Sequence, residues 1–392
     1  MHLGADTATT NAHPGPRQLV LLGAGHAHRQ VLQHLSIHPL PGLQVTLVAP
    51  HARQVYPAMV PGFVAGHYAL DDCLMHLDAL VHRSGVRWLQ HHVRALDAQT
   101  QTITLEDAST LHYDWLSVNT GAVQSREQLE QVIPGSRTHA LFVRPLEAFG
   151  SHWPRIAEMG DSRALRVAVI GGGAAGVELA LAVRHRLKGA AVTLVCGPQP
   201  PLANFPAAVQ QRVVPILKKQ RITVLQDVAL AVSDVAVQLG CGAALACDVP
   251  MLATGVQAPA WLANSGLALD DAGFIAVDMY QRSTSHSRVF AAGDVSTRID
   301  QTLARSGVYA QRAAPVLATN LSSAVANGAL TPHMPAPHSL SLVSLGARHA
   351  LASWGSFSAQ GRWVWWLKNM LDRRHVGRFG PSKTQPPTNK PQ

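Results

Sequence analysis

The sequence predicts an α/β chain of two Rossmann-like, three-layer units, each a parallel sheet between helices, with a small α+β region after them. Three observations lead there. Two stretches, 18–28 and 166–180, each run from an apolar strand through a glycine turn into a helix. Pro332, Pro335 and Pro337 mark a boundary before the last segments. Apolar residues make up 47% of the chain and charged ones 14%, so its bulk is folded.

The second stretch is the more complete. Val167 to Ile170 is the short apolar run of a central parallel strand. Gly171, Gly173 and Gly176 then give the full G-x-G-x-x-G spacing, and Ala174 opens a helix that runs to Leu187. Such a turn brings the backbone close to a pyrophosphate and aims free N–H groups at it. In the first stretch Gly23 and Gly25 hold the first two glycine positions and His28 takes the third. Ala27, Val31 and Leu35 form the apolar stripe of the helix, which ends before Pro39.

The remaining elements follow in order. Leu43 to Val48 is a strand ending at Ala49-Pro50, where a dinucleotide unit wants an acid for the ribose. Tyr56 to Gly62 is a proline-pinned apolar turn, in itself a plain loop. Val86 to Thr120 reads as three short strands ending in Asn-Thr-Gly121. Val192 to Val195 ends at Cys196-Gly197, again with neither an acid nor an arginine, so NADH and NADPH are not distinguished. Phe205 to Gln220 reads as a helix containing Pro215, and Ile222 to Leu225 as a strand. Asp248 to Gly255 closes this unit. Val289 to Asp294 delivers a carboxylate at a glycine turn, placed to accept from sugar-like hydroxyls. Strands around Leu340 to Leu345 and Ala350 to Trp354 precede a basic tail.

Composition excludes several classes. Residues 1–17 are polar and read as an arm, neither a secretory signal nor a transit peptide. There is no run of 18 apolar residues. Cys73, Cys196, Cys241 and Cys247 include no C-x-x-C pair, which argues against a dithiol centre; His34 and His38 stand four apart, but Pro39 ends the helix there and no third ligand is evident, so no metal is expected. Net charge is +9, and from residue 333 on eight basic residues stand against Asp372 alone. A basic excess confined to the tail suits an anionic surface better than a nucleic-acid groove, and no nucleic acid is expected.

Two strand–G-x-G–helix units, Asn-Thr-Gly121, Ala-Thr-Gly255 and Ala-Ala-Gly-Asp294, in that order, resemble the two-dinucleotide-binding flavoproteins of the pyridine nucleotide-disulfide oxidoreductase superfamily. The resemblance covers residues 18 to about 325. It implies an FAD-binding domain at 18–128 and 265–332, with an NAD(P)H-binding domain inserted at 129–264 and a C-terminal region at 333–392. It further implies FAD contacts from Gly23, Gly25, His26, Ala27, Pro57, Thr120, Gly121, Gly293, Asp294 and Val308. NAD(P)H contacts would come from Gly171, Gly173, Ala174, Gly176, Glu178 and Gly255. Within the superfamily, GGGAAGVE at 171–178, the proline turn and Ala310-Gln-Arg-Ala313 look similar to type II NADH dehydrogenases. That similarity puts Glu178 on the nicotinamide side and Gln311 on the acceptor side, with Pro315 replacing the last glutamine of the family segment. Gly-His-Ala-His28 and 305–312 look closer to the flavoprotein sub-branch associated with selenide, water dikinase.

The implied activity is hydride transfer from NAD(P)H through flavin to a quinone-like acceptor. The alternatives are a soluble NAD(P)H-dependent flavin reductase, serving selenium metabolism or another small acceptor, and a flavin-binding redox-sensing protein. Arg362 to Val376 reads as a helix with Trp363, Trp366, Leu367, Met370 and Leu371 on one apolar stripe, and Lys368, Asp372 and Arg373 off it. Tryptophans flanked by basic residues suit a membrane interface. The alternative is packing on the protein's own core or on a partner in a homodimer. The expected location is cytoplasmic, peripheral on the inner face of the cell membrane.

Overall fold

The computed structural model describes residues 16–303, 305 and 307–380. Lys383, Lys390 and the first 15 residues of the expected arm lie outside the described residues. The strands that place the site are, in order, β1 (Arg17–Leu22), β2 (Leu43–Val48), β3 (Arg87–Leu89), β4 (Trp115–Val118), β5 (Leu141–Phe142), β6 (Arg166–Ile170), β7 (Ala191–Val195), β8 (Ile222–Leu225), β9 (Val249–Leu252) and β10 (Val289–Ala291).

They form two five-stranded sheets, parallel throughout. The first has the order β10-β4-β1-β2-β3 and the second β5-β9-β6-β7-β8. In each, the strand that feeds a glycine turn lies centrally, β1 in one and β6 in the other. The next strand in sequence lies on one side and a later one on the other. The strand order therefore reverses at the glycine turn, and this reversal opens the crevice in which such sheets bind ligands. Leu19 to Leu22 and Val167 to Ile170 are buried, as central strands covered by helices on both faces must be. The helices that leave the turns are α1 (His26–Leu35) and α2 (Ala174–Arg186).

The stretch from Val86 to Thr120 holds five strands where three were expected. β3 and β4 join the first parallel sheet, while Val93–Asp97, Thr102–Leu105 and Thr110–His112 form an antiparallel meander beside it. Tight turns separate these short runs, and alternating polarity does not show that the outer two belong to a different sheet.

Helix α3 (Gly307–Val325) packs against α1 and continues through Pro315. The C-terminal region is a three-stranded antiparallel sheet, β11 (Ser341–Ser344), β12 (Ala350–Trp354) and β13 (Phe357–Gly361), followed by α4 (Arg362–Gly377). Helix α4 docks through Val364, Trp365, Lys368, Asp372 and Val376. Its apolar stripe faces outward, with Trp363 59%, Trp366 65%, Met370 56% and Leu371 41% exposed. The stripe therefore does not pack on the protein's own core. The face carrying Lys368 and Asp372, which neutralise one another, is buried instead, with Val364, Trp365 and Val376 on it, while Arg373 stays exposed.

Candidate functional site

Asn119, at the end of β4, organises the first glycine turn. Its backbone carbonyl accepts from the Gly25 N–H at 3.2 Å, and its side-chain oxygen accepts from the N–H groups of Ala27 and His28, each at 3.1 Å. Its side-chain amide donates to the Ala292 carbonyl. One residue thus ties the turn to β10, after which Gly293 and Asp294 follow. A Cβ on Gly25 would collide with Asn119, so glycine is required there by the protein's own backbone.

His28 explains the departure at the third glycine position. Its ring is buried, with Nδ1 2.6 Å from the Gly23 carbonyl and Nε2 2.8 Å from the Ser117 hydroxyl. Burial pulls its pKa down to about 4, so the neutral ring bridges the turn and β4.

Around this turn lie polar atoms with nothing to bind. Thr120 Oγ1 and His26 Nε2 are buried without a hydrogen-bond partner among the described residues. Gly121 follows Thr120 at the end of β4. Burial raises the pKa of Asp294, while Arg144 and Arg305 oppose that rise. The Arg144 charge also acts on His26, so it is felt at both the turn and Asp294. Val308 stands in the first turn of α3. Buried polar groups are normally satisfied, so this cluster fits a bound ligand with hydroxyl and phosphate groups.

Beside the turn three rings pack together, with Tyr56 and His26 5.7 Å apart and tilted at 47°. Tyr56 and His375 lie 4.7 Å apart at 28°, and His375 and His26 5.5 Å apart at 19°. Phe379 meets His375 edge-on at 5.4 Å. Pro57 opens the short helical turn after Tyr56. The Gln311 side chain is close enough to the Tyr56 hydroxyl to oppose the rise in its pKa, and the Gln311 carbonyl accepts from Gln30 Nε2 at 3.2 Å. Burial pulls His26 down to about 3 and His375 to about 4, and pushes Tyr56 up to about 12. All three rings are neutral at neutral pH.

The second glycine turn is built differently. Nothing lies within 4 Å of where a Cβ on Gly173 would stand, and the same holds at Gly255. Glycine at 173 therefore leaves room for something outside the protein, with the N-terminus of α2 at Ala174 beside it. Glu178 is engaged elsewhere, because Oε1 accepts from the Ser344 N–H of β11 at 2.6 Å. Burial raises its pKa to about 7, against the pull of Lys368 and the Ser344 bond. Lys368 in turn donates to the Ala58 carbonyl and to Asp372, each at 2.6 Å.

The structure thus brings Gly23, Gly25, His26, Ala27, Thr120, Gly293 and Asp294 around one turn, with Pro57 and Gln311 at its side. Gly171, Gly173, Ala174, Gly176 and Gly255 gather at the other. Asn119, Arg144 and His375 were not singled out by sequence. Asn119 could have been read from the Asn-Thr-Gly run, whereas Arg144 and His375 carry no local signal. All four cysteines are free.

Residues 17–313 match the pyridine nucleotide-disulphide oxidoreductase family. The probable ferredoxin reductase CtmF of Castellaniella defragrans is 28% identical over 298 residues, covering 72% of this chain and 68% of that protein. The sulfide:quinone oxidoreductase of Aquifex aeolicus shares the fold with a TM-score of 0.78 at 16% identity, covering 93% of this chain and 91% of that one. The Plasmodium falciparum NDH2, solved with NADH, does so with a TM-score of 0.74 at 14% identity, covering 93% and 99%. The match extends through both glycine turns and α3 as far as Ala313. This chain belongs to the pyridine nucleotide-disulphide oxidoreductase family and is an FAD-dependent oxidoreductase that draws on NAD(P)H.

Proposed function

We propose that this oxidoreductase passes electrons from NAD(P)H to a quinone-like acceptor while lying on a membrane surface. The supporting observation is the division of α4 into two faces. One face carries Lys368, Asp372 and His375 to the ring cluster beside the first turn. The other exposes Trp363, Trp366 and Met370, with the exposed arginines Arg362, Arg373 and Arg374 around them. The neighbouring hairpin adds Trp354 and Phe357, 60% and 64% exposed. Exposed aromatics rimmed by basic groups suit an anionic lipid interface. An acceptor dissolved in that lipid would then reach the site along the helix. Among the described residues no helix is long and apolar enough to cross a membrane.

In this reading FAD, when bound, accepts hydride from the nicotinamide and releases two electrons to the acceptor. Gly23, Gly25, His26, Ala27, Thr120, Gly121, Gly293, Asp294, Val308 and Pro57 would hold it, in a domain made of 18–128 and 265–332. Residues 129–264 would hold NAD(P)H through Gly171, Gly173, Ala174, Gly176 and Gly255. Gln311 stands beside Tyr56 on the acceptor side. Glu178, fixed to Ser344, links the nicotinamide side to the C-terminal region.

A second reading, a ferredoxin-type acceptor, is favoured by the name of the Castellaniella relative. It leaves the exposed tryptophans unexplained. Turnover of a short-chain quinone against turnover of a ferredoxin, with and without anionic vesicles, separates the two. Quinone turnover raised by vesicles supports the membrane reading, and turnover of ferredoxin alone overturns it.

A further inference from the structure

Two imidazole nitrogens in the ring cluster are buried and unpartnered among the described residues, His26 Nε2 and His375 Nε2. His26 directly follows Gly25 in the turn, so a ligand at that turn lies within its reach. His375 is a different case. It comes from the last turns of α4, some 350 residues away in sequence, and its ring packs against those of both Tyr56 and His26, which are themselves 5.7 Å apart. Phe379 closes its edge, and Arg29 lies 5.3 Å over the Phe379 ring. A ring meant only to fill this space needs no nitrogen, and a phenyl group would fill it without leaving a polar atom unsatisfied.

We propose that His375 donates a hydrogen bond to a carbonyl oxygen of the electron acceptor, and is thereby a specificity-determining residue of the acceptor site. Its neutral imidazole offers one N–H and one lone pair. The rings of Tyr56, His375 and His26 form a compact aromatic cluster, every pair of centroids within 5.7 Å, against which a planar carbonyl compound would pack. The same helix that turns Trp363 and Trp366 outward would thus also complete the acceptor site. This inference rests on the quinone-like acceptor proposed above.

The test uses the full-length FAD-loaded protein with His375→Phe, His375→Gln and His375→Asn. Three quantities are read: FAD bound per chain, the rate of flavin reduction by NADH in the absence of oxygen, and the dissociation constant of ubiquinone-1 for the oxidised protein, from quenching of intrinsic fluorescence. His375→Phe should keep its FAD and its rate of reduction, and bind ubiquinone-1 about tenfold or more weakly, as loss of one hydrogen bond implies. His375→Gln, whose amide reaches the Nε2 position, should recover most of the affinity. His375→Asn, whose amide reaches only the Nδ1 position, should not. This contrast between Gln and Asn holds even if Phe disturbs the packing. Equal affinity in the wild type and all three variants overturns the role of His375. A wild type that binds no ubiquinone-1 yet reduces a ferredoxin overturns the acceptor reading itself, and the inference with it.

Discussion

Lys368 Nζ lies 2.6 Å from Asp372 Oδ2 and 2.6 Å from the carbonyl oxygen of Ala58, and both charged side chains are less than a tenth exposed. This buried pair fastens α4 to the turn that carries Tyr56. Burial raises the pKa of Asp372, and Lys368 opposes that rise, so each charge is tolerated through its partner. Removing one partner strands the other in the interior, at a cost of about 3–5 kcal/mol. Lys368→Met should therefore lower the stability to urea by about that much. Lys368→Met with Asp372→Leu should recover much of the loss. A single variant as stable as the wild type would show that the pair contributes no such constraint.

Gly173→Val should fold, keep FAD and lose reduction by NAD(P)H, since the new side chain meets only space outside the protein. Gly176→Val should fail to fold, because its Cβ would collide with the Gly171 carbonyl. Flavin absorbance and anaerobic bleaching by NADH report both outcomes. Normal bleaching in Gly173→Val would mean that the second turn does not hold the nicotinamide dinucleotide.

Asp294→Ala should weaken FAD binding. Among the described residues the carboxylate accepts no hydrogen bond, so it is free to take ligand hydroxyls. A charge-assisted hydrogen bond is worth about 1.5–3 kcal/mol, or roughly 10- to 150-fold in affinity. Titrating the apoprotein with FAD measures it, and unchanged affinity would remove Asp294 from the cofactor site.

Glu178 gives a stability that depends on pH. Its pKa is raised by burial to about 7, above the ordinary carboxylate value of 4.5, so the folded state holds the proton more tightly than the unfolded one. Stability contributed by that proton is complete below about pH 4.5 and is lost as pH rises through 7. Glu178→Gln keeps an acceptor for the Ser344 N–H and carries no charge. Relative to the wild type it should gain stability as pH goes from 5 to 8, at up to about 1.4 kcal/mol per pH unit until the folded carboxyl has lost its proton. Thermal melts at the two pH values decide, and a constant difference would place the carboxylate in solvent.

Trp363→Ser, Trp366→Ser and Met370→Ser together should abolish co-sedimentation with anionic vesicles at low salt while FAD content and melting temperature stay unchanged. These side chains are more than half exposed, and surface changes usually move stability by no more than about 0.5 kcal/mol each. Deleting the helix is the poorer experiment, since it would also strip Lys368, Asp372 and His375 from the site. Undiminished vesicle binding by the triple variant would leave the apolar face to a dimer partner.

Much of this protein was legible in sequence because its signals are local. A strand, a glycine turn and a helix follow one another within about 20 residues at 18–35 and again at 166–186, and backbone sterics and apolar periodicity dictate both. Gly171, Gly173, Gly176 and the carboxylate of Asp294 could be named for the same reason. Tertiary structure decided what depends on residues far apart in the chain. Asn119 holds the Gly25 turn across 94 residues, and His375 reaches His26 across 349. The face by which α4 docks was decided in the same way. Periodicity marks where the apolar side chains lie on a helix but not which face is covered. Here Asp372 and the Ala58 carbonyl satisfy Lys368, so the face carrying that pair, with Val364, Trp365 and Val376, went inside, and Trp363 and Trp366 were left outside.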